Sequence, residues 1–425
     1  MASTTAERSG GRALRTDERA RLAILALPTT ALALSITIVS TYLGEITRRY
    51  TQQTVVIGLI IGSEGIMALW VPLIAGAWSD ALRTPIGGRL PFVLAGGLPA
   101  AGVLVLIGVL HSLIAVAIAA AAFFALYFVA YEPYRALYPD LVDGEEIAGR
   151  AQSTQAVARG LGTGLALLGG GVLLSLARWA PFAVAALILV IAIVAFSVLL
   201  LRRGTPPQTE TTHSLRAVVR QLIDLVRDDP RLRCYLVANA LWETALSALK
   251  AFVILYVTVG LGYSLSTGSL LVGGVALVIL IGAAGAGKAA DRYGRLRILQ
   301  HALVAYGAGF LVLVFTTNRA LIAVAIPFIA VGGGTVMTLA YAVLMPMMPE
   351  DEHGALTGFY SLSRGIGIVT GPVLAGLLIS LTQHGPFSAT QGFQSIWLVC
   401  AAAALGSWPL VRRMRRLSGD EQDDA

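Results

Sequence analysis

The chain has 425 residues, of which 56% are hydrophobic and 13% are charged, and its formal net charge is +7. A soluble protein carries about a quarter charged residues, so this composition excludes a soluble enzyme, a disordered chain and a nucleic-acid-binding protein. The mean hydropathy of +0.76 instead indicates a protein that crosses a membrane many times.

Twelve stretches along the chain are long and apolar enough to span a bilayer, which takes about 20 apolar residues for ~30 Å of hydrocarbon. In the first half, the predicted spans are Leu22–Leu43, Val55–Trp78, Pro91–Leu110, Leu113–Tyr131, Gly160–Leu176 and Pro181–Leu201. In the second half, they are Cys234–Val259, Thr267–Gly287, Ile298–Thr316, Leu321–Leu344, Thr357–Leu381 and Phe393–Val411. Short connections predict antiparallel hairpins for spans 3 and 4 and for spans 9 and 10. The predicted fold class is an all-α polytopic membrane protein.

The positive charge is distributed unevenly between the two sides of these spans. With a cytoplasmic N-terminus, 24 of the 31 Lys and Arg residues fall in cytoplasmic segments and 4 fall on the opposite side. Cytoplasmic loops of membrane proteins carry such an excess. Both termini are therefore predicted to be cytoplasmic. The basic charge reflects topology, so the expected partner is the lipid bilayer and not nucleic acid.

The two halves of the chain repeat each other at a spacing of about 205–211 residues. An acid followed by arginines stands after span 2, at Asp80, and after span 8, at Asp291, while Arg159 and Arg364 open spans 5 and 11. Such repeats place two pseudo-symmetric six-helix bundles around one cavity near the bilayer midplane. The predicted organisation is a cytoplasmic tail over residues 1–21, bundles over 22–201 and 234–411, a cytoplasmic linker over 202–233 and a tail over 412–425.

Three features carry a resemblance to a known family. Twelve spans in two halves, with this acid-and-arginine loop, are similar to the major facilitator superfamily across the whole chain. Ser79–Phe92 and Pro133–Leu141 resemble more narrowly the sucrose-transporter branch of the glycoside–pentoside–hexuronide cation symporters. The resemblance implies the major facilitator fold, a small-molecule substrate, transport by alternating access and a monomer. It implies no enzymatic activity, cofactor or metal.

The same resemblance bears on the energy source. The sodium-coupled, melibiose-type members carry carboxylates about two turns before the loop that follows span 2, whereas residues 67–72 contain no acid. This difference favours the proton gradient over a sodium gradient as the energy source.

The repeated loops are predicted to form a cytoplasmic gate whose ion pairs exist in one conformation only. The alternative is that they end helices and anchor them to lipid headgroups. For Arg159 and Arg364 the alternative is snorkelling to those headgroups, and for Arg135 it is a local pair with Glu132. The predicted gate residues are Asp80, Arg83, Arg89, Arg135, Asp140, Arg159, Asp291, Arg292, Arg295 and Arg364.

Span 7 carries polar residues on a single helical face, at Tyr235, Asn239, Glu243, Ser247 and Lys250. A charge buried without a partner in the bilayer centre costs at least ~2.5–3.5 kcal/mol, so such residues are functional candidates. Asn239, Glu243, Ser247 and Lys250 are predicted to line the substrate cavity. The alternative is an ion network that holds the two halves together.

Glu64 lies near the middle of span 2 and has no basic neighbour in its own helix. A buried carboxyl without a counter-charge can load and release a proton near neutral pH. Either Glu64 or Glu243 is therefore predicted to carry the coupling proton. The alternative for Glu64 is a neutral carboxyl that is hydrogen-bonded to a neighbouring helix.

Span 4 presents an aromatic stripe that leads toward Arg135. Tyr127 and Tyr131 of this stripe are predicted to contact the substrate, because the apolar faces of a sugar ring suit aromatic side chains. The alternative is plain packing between helices.

The sequence thus predicts a secondary active transporter in a bacterial-type plasma membrane, a proton-coupled symporter of a sugar or glycoside. Two alternatives are a proton-coupled exporter of amphipathic drugs or lipids, and a transporter-like membrane scaffold or accessory protein.

Overall fold

A computed structural model describes residues 16–141, 145–203, 224, 226–347 and 353–419. Twelve helices within these ranges are long and apolar enough to cross a membrane, which confirms the predicted all-helical polytopic fold. The helices of the first half are α1 Thr16–Thr47, α2 Thr54–Ala81, α3 Leu90–Val109, α4 Leu113–Leu141, α5 Glu145–Leu176 and α6 Ala180–Arg203. Those of the second half are α7 Pro230–Leu255, α8 Leu265–Tyr293, α9 Arg295–Phe315, α10 Arg319–Leu344, α11 His353–Thr382 and α12 Ile396–Leu417.

The connection between α8 and α9 is much shorter than the sequence predicted. A helix continues to Tyr293 and a new one begins at Arg295, so only Gly294 joins them. Gly294 has a φ of 87°, a conformation that a residue without Cβ adopts at little cost. Asp291 therefore lies in the last turn of α8 and not in a loop.

The segment between the two halves can be described at its edges only. The predicted linker begins within α6, which ends at Arg203, and its last residues belong to α7. Asp229 caps α7 by accepting a hydrogen bond from the backbone N–H of Arg231 at 2.7 Å, and Pro230 occupies the first turn. Residues 204–223 lie outside the described part of the chain, as do 1–15 and 420–425 of the predicted tails.

The same pairs of helices pack against each other in both halves. In the first half, α1 packs on α5 and α6, α3 packs on α4 and α6, and α2 packs on α4. In the second half, α7 packs on α11 and α12, α9 packs on α10 and α12, and α8 packs on α10. Both predicted hairpins, α3–α4 and α9–α10, are thus present.

The halves meet closely where α2 packs on α11, α5 on α8, and α1 on α7. Small residues allow this approach: a Cβ on Gly58 would lie 2.3 Å from the carbonyl oxygen of Pro372. Thr54 donates to the carbonyl of Gly376 at 2.7 Å, and the hydroxyls of Tyr42 and Ser269 lie 2.6 Å apart. These contacts close the halves together at the end that is predicted to be extracellular.

Candidate functional site

A small pocket lies between the two halves, bounded by α1, α2, α7 and α11. Its polar lining consists of Ser40, Glu64, Glu243, Ser247 and Lys250, and its apolar walls consist of Ile61, Leu246, Ile368 and Pro372. Each half of the chain contributes one carboxyl group. The two candidate proton carriers, which are far apart in sequence, therefore lie at one pocket.

Glu64 is buried, with 6% of its surface exposed. Its Oε2 accepts a hydrogen bond from the hydroxyl of Ser40 on α1 at 2.6 Å. The bond to a neighbouring helix that the structural alternative requires is thus present. A hydroxyl can rotate to donate or to accept, so Ser40 can serve Glu64 in either protonation state.

Glu243 forms an ion pair with Arg364, whose Nε lies 3.2 Å from Oε1 of the carboxylate. The partner of Arg364 in this structure is thus an acid of span 7, and the role of Arg364 in the cytoplasmic gate remains a prediction. Its guanidinium reaches across to α7 because glycine lets α11 approach closely: a Cβ on Gly367 would lie 2.5 Å from the carbonyl of Ala240. The partner is on another helix, so no spacing within the sequence could have revealed it.

The polar residues of α7 do share one face, but several of them are used in packing. Tyr235 donates to the carbonyl of Ala340 on α10 at 2.8 Å. Asn239 donates to Ser363 on α11 at 2.8 Å, and Ser247 donates to the carbonyl of Gly367 at 2.9 Å. The bond of Asn239 joins two helices of the second half, so it does not belong to an ion network between the halves. Contact of the substrate with this face remains a prediction that rests on Glu243, Ser247 and Lys250 at the pocket.

Lys250 differs from the other polar residues of the pocket. Within the described part of the chain, its side chain makes no hydrogen bond and no ion pair. The two helical turns between Glu243 and Lys250 agree with this, since they separate the residues by ~10.5 Å along a helix that rises 1.5 Å per residue. Lys250 is thus a cation at the pocket whose charge no described carboxylate directly balances.

The aromatic stripe of α4 is packed inside the protein. Tyr127 and Tyr131 are 5% and 8% exposed, and their rings stack at 5.3 Å between centroids. The guanidinium of Arg135 lies 5.6 Å from the ring of Tyr131 and 3.6 Å from the carboxylate of Glu132, as the local alternative predicted. The stripe does not line the pocket described above, which favours helix packing; its contact with substrate remains a prediction.

Two of the predicted gate arginines occupy equivalent places in the two halves. Arg89 donates to the carbonyl of Ala136 near the end of α4, and Arg295 donates to the carbonyl of Ala342 near the end of α10 at 2.9 Å. The same spacing of 206 residues separates the two arginines and the two alanines. The internal repeat was a signal from which this pair of contacts could have been found.

The remaining gate residues are placed as follows. Arg292 lies over the ring of Tyr293 at 5.2 Å. The side chains of Asp80 and Asp140 are outside the described part of the structure. Five of the predicted gate residues have exposed side chains: Arg83, Arg159, Asp291, Arg292 and Arg295. The gate remains a prediction. Among the described residues, no cluster of three or more His, Cys, Asp or Glu side chains could hold a metal ion.

Comparison with known proteins identifies one family over nearly the whole chain and relatives that match about a quarter of it. The family model described as Major Facilitator Superfamily matches residues 25–287 and 247–423. The chain is 30% identical over 110 residues to an uncharacterised MFS-type transporter of Mycobacterium tuberculosis, a match that covers 26% of this chain and 15% of that protein. It is 28% identical over 113 residues to the class H tetracycline resistance protein of Pasteurella multocida, covering 27% and 28% of the two chains.

Similarity to a solved structure extends over nearly the full length. A bacterial homologue of the human lysosomal transporter Spinster, in an inward-facing and occupied conformation, superimposes with a TM-score of 0.77. The match has 14% sequence identity and covers 95% of this chain and 98% of that one. At this identity the similarity concerns the fold alone.

Proposed function

The chain belongs to the Major Facilitator Superfamily, and we propose that it is a secondary active transporter that moves a small solute by alternating access and is driven by protons. The observation that carries this proposal is the pocket at the joint of the two halves. Glu64 from the first half and Glu243 from the second both line it. Alternating access moves one half against the other around a fixed site. The distances between groups of the two halves at this pocket therefore change during transport.

Of the two carboxyl groups, Glu64 is the better candidate for the proton. Glu243 is already bound to a guanidinium, since Nε of Arg364 lies 3.2 Å from its carboxylate. Among the described residues, the hydrogen-bond partner of Glu64 is the neutral hydroxyl of Ser40. We therefore assign the coupling proton to Glu64 and a positioning role to the pair of Glu243 and Arg364.

A sugar or glycoside is the first solute class that we propose. It is supported by the similarity of the two motifs to the sucrose-transporter branch. The hydroxyl and charged groups of the pocket, Ser40, Glu64 and Lys250 among them, can also hydrogen-bond to hydroxyl-rich solutes.

Export of amphipathic compounds is the second candidate. Two observations favour it: the local similarity to a tetracycline resistance protein, and the apolar walls that Ile61, Ile368 and Pro372 give to the pocket. The two candidates share proton coupling at Glu64, and they differ in the solute and in the direction of transport.

The test is proton movement in liposomes that contain the purified protein and a trapped pH-sensitive dye. Sugars, glycosides and amphipathic drugs are added in turn, and solute-dependent proton flux is expected for the wild-type protein. The Glu64→Gln variant should lose proton flux but retain solute binding. The control is Asp224→Asn, which changes an exposed acid in the segment between α6 and α7, and this variant should behave like the wild type. Unchanged proton flux in Glu64→Gln, or no flux with any solute, would refute the proposal.

A further inference from the structure

We propose that the transported solute is an organic monoanion whose anionic oxygen group binds Lys250. The inference rests on the proposed function and specifies the substrate class of the same pocket. It applies whether the body of the solute is a sugar ring or an apolar group.

Charged side chains of both signs lie at the pocket. Glu64, Glu243 and Lys250 line it, and Arg364 is paired with Glu243 at its edge. With all four side chains ionised, two negative charges balance two positive charges. Arg135 on α4 adds nothing to this balance, because its own partner is Glu132 at 3.6 Å.

Of these four side chains, Lys250 is the one that forms no hydrogen bond and no ion pair with a described residue. Arg364 forms an ion pair with Glu243, and Ser40 donates a hydrogen bond to Glu64. Lys250 makes no ion pair or hydrogen bond with any residue that the structure describes. A lysine ammonium has three hydrogen-bond donors and no acceptor, so its natural ligand is an anionic oxygen.

Proton loading changes this balance. When Glu64 is protonated, the set of Glu64, Glu243, Lys250 and Arg364 carries a net charge of +1. A net charge inside the membrane is unfavourable unless it is compensated, and one monoanion at Lys250 restores neutrality. The pocket is thus neutral when it holds neither the proton nor the anion, and neutral again when it holds both. It carries a net charge when it holds one of the two without the other. Electroneutrality therefore couples the two ligands.

The groups around the pocket are compatible with this reading. Tyr127 and Tyr131 on α4 stack on each other at 5.3 Å between ring centroids and do not line the pocket. Arg159 on α5 has an exposed side chain and does not line the pocket. The apolar wall of Ile61, Leu246 and Ile368 can contact the uncharged body of the solute.

The experiment compares acids with neutral partners of the same shape. Purified protein is titrated with glucuronate and glucose, with benzoate and benzamide, and with a wider panel of carboxylic acids and their carboxamides, and thermal stabilisation is measured. Ligands that bind only the folded state raise its melting midpoint. Stabilisation is expected from acids and not from their neutral partners. Lys250→Gln should weaken acid binding by at least about tenfold, whereas Lys288→Gln, an exposed lysine at the end of α8, should leave it unchanged.

The outcomes separate this inference from the proposed function. Equal stabilisation by acids and neutral partners, acid binding that survives in Lys250→Gln, or no stabilisation by any acid would overturn the inference. If neutral solutes drive proton flux in liposomes, the proposed function stands and the inference fails. If acids bind through Lys250 without any proton flux, acid recognition stands and proton coupling fails.

Discussion

A methyl group added at Gly58 should shift the balance between conformations of the two halves. Gly58 lies on the face of α2 that packs against α11, and a Cβ at this position would lie 2.3 Å from the carbonyl oxygen and 2.9 Å from the carbonyl carbon of Pro372. Both atoms belong to the backbone, so no side-chain rotation can relieve the overlap. Gly58→Ala should therefore force α2 and α11 apart at the end that is predicted to be extracellular.

The size of the effect follows from this overlap. Real Cβ atoms essentially never approach heavy atoms closer than 3.0 Å, so the helices must separate by at least about 0.7 Å. Overpacking of this kind costs about 1–3 kcal/mol. Since the contact exists only when this end is closed, the cost falls on the closed state alone. The equilibrium should then move toward opening by about 5–150-fold.

The assay is the rate at which a membrane-impermeant thiol reagent, added from outside the cell, labels a cysteine in the pocket. The reporter is Leu246→Cys, because Leu246 lines the pocket. The background replaces the buried Cys234 and Cys400 by alanine. Labelling should be slow in the reporter protein and about 5–150-fold faster once Gly58→Ala is added.

The control is Gly76→Ala, a substitution in the same helix at a position where a Cβ meets no atom within 4 Å. It should leave the labelling rate unchanged. Equal rates in the two variants would refute the reasoning, because they would show that the contact of α2 with α11 does not hold this end closed. Slower labelling in Gly58→Ala than in the reporter protein would refute it as well.

Three further predictions concern stability. Alanine at either Arg364 or Glu243 leaves the partner charge uncompensated, so a double-mutant cycle should give a favourable coupling of about 0.5–3 kcal/mol. At Asp229, burial opposes ionisation, but hydrogen bonds from Arg231 outweigh it and hold the pKa below its usual range. The extra stability of wild type over Asp229→Asn should therefore be present at neutral pH and disappear as the pH falls through that lowered pKa. Gly294→Ala should cost about 1–2 kcal/mol in thermal unfolding, because its φ of 87° is strained for any residue with a Cβ.

Each of these predictions has a result that would contradict it. A coupling near zero would show that the ion pair does not stabilise the protein. A difference between wild type and the Asp229 variant that is constant with pH would mean that the charge of the cap is unimportant. Gly285→Ala, in open space within α8, is the control for Gly294→Ala, and an equal loss in both variants would exclude backbone strain as the cause.

The number and order of the helices followed from the sequence, because hydrocarbon imposes a length and an apolar composition on every span. The repeat of the two halves also follows from local signals, and the structure reproduces it in the matched packing of helices. Helix ends were less accurate: the connection between α8 and α9 shrank to Gly294, since polar residues near a membrane surface can continue a helix.

The pocket was only partly predictable. The charged residues of spans 2 and 7 stood out in the sequence, because a charge in an apolar span is costly unless it is paired or used. Two contacts could not be recognised in the sequence, because each joins two different helices. They are the ion pair of Glu243 with Arg364 and the hydrogen bond of Glu64 with Ser40.

By itself, the sequence determined that this protein is a twelve-span membrane protein and which of its residues are polar within the membrane. For the pocket, the tertiary structure alone decided which polar groups bond to one another and that Lys250 forms no hydrogen bond or ion pair with a described residue. The physical reason is that solvation in a bilayer acts on each segment separately and can be read along the chain. The compensation of charge depends on distances between segments, and only the packing of the helices sets those distances.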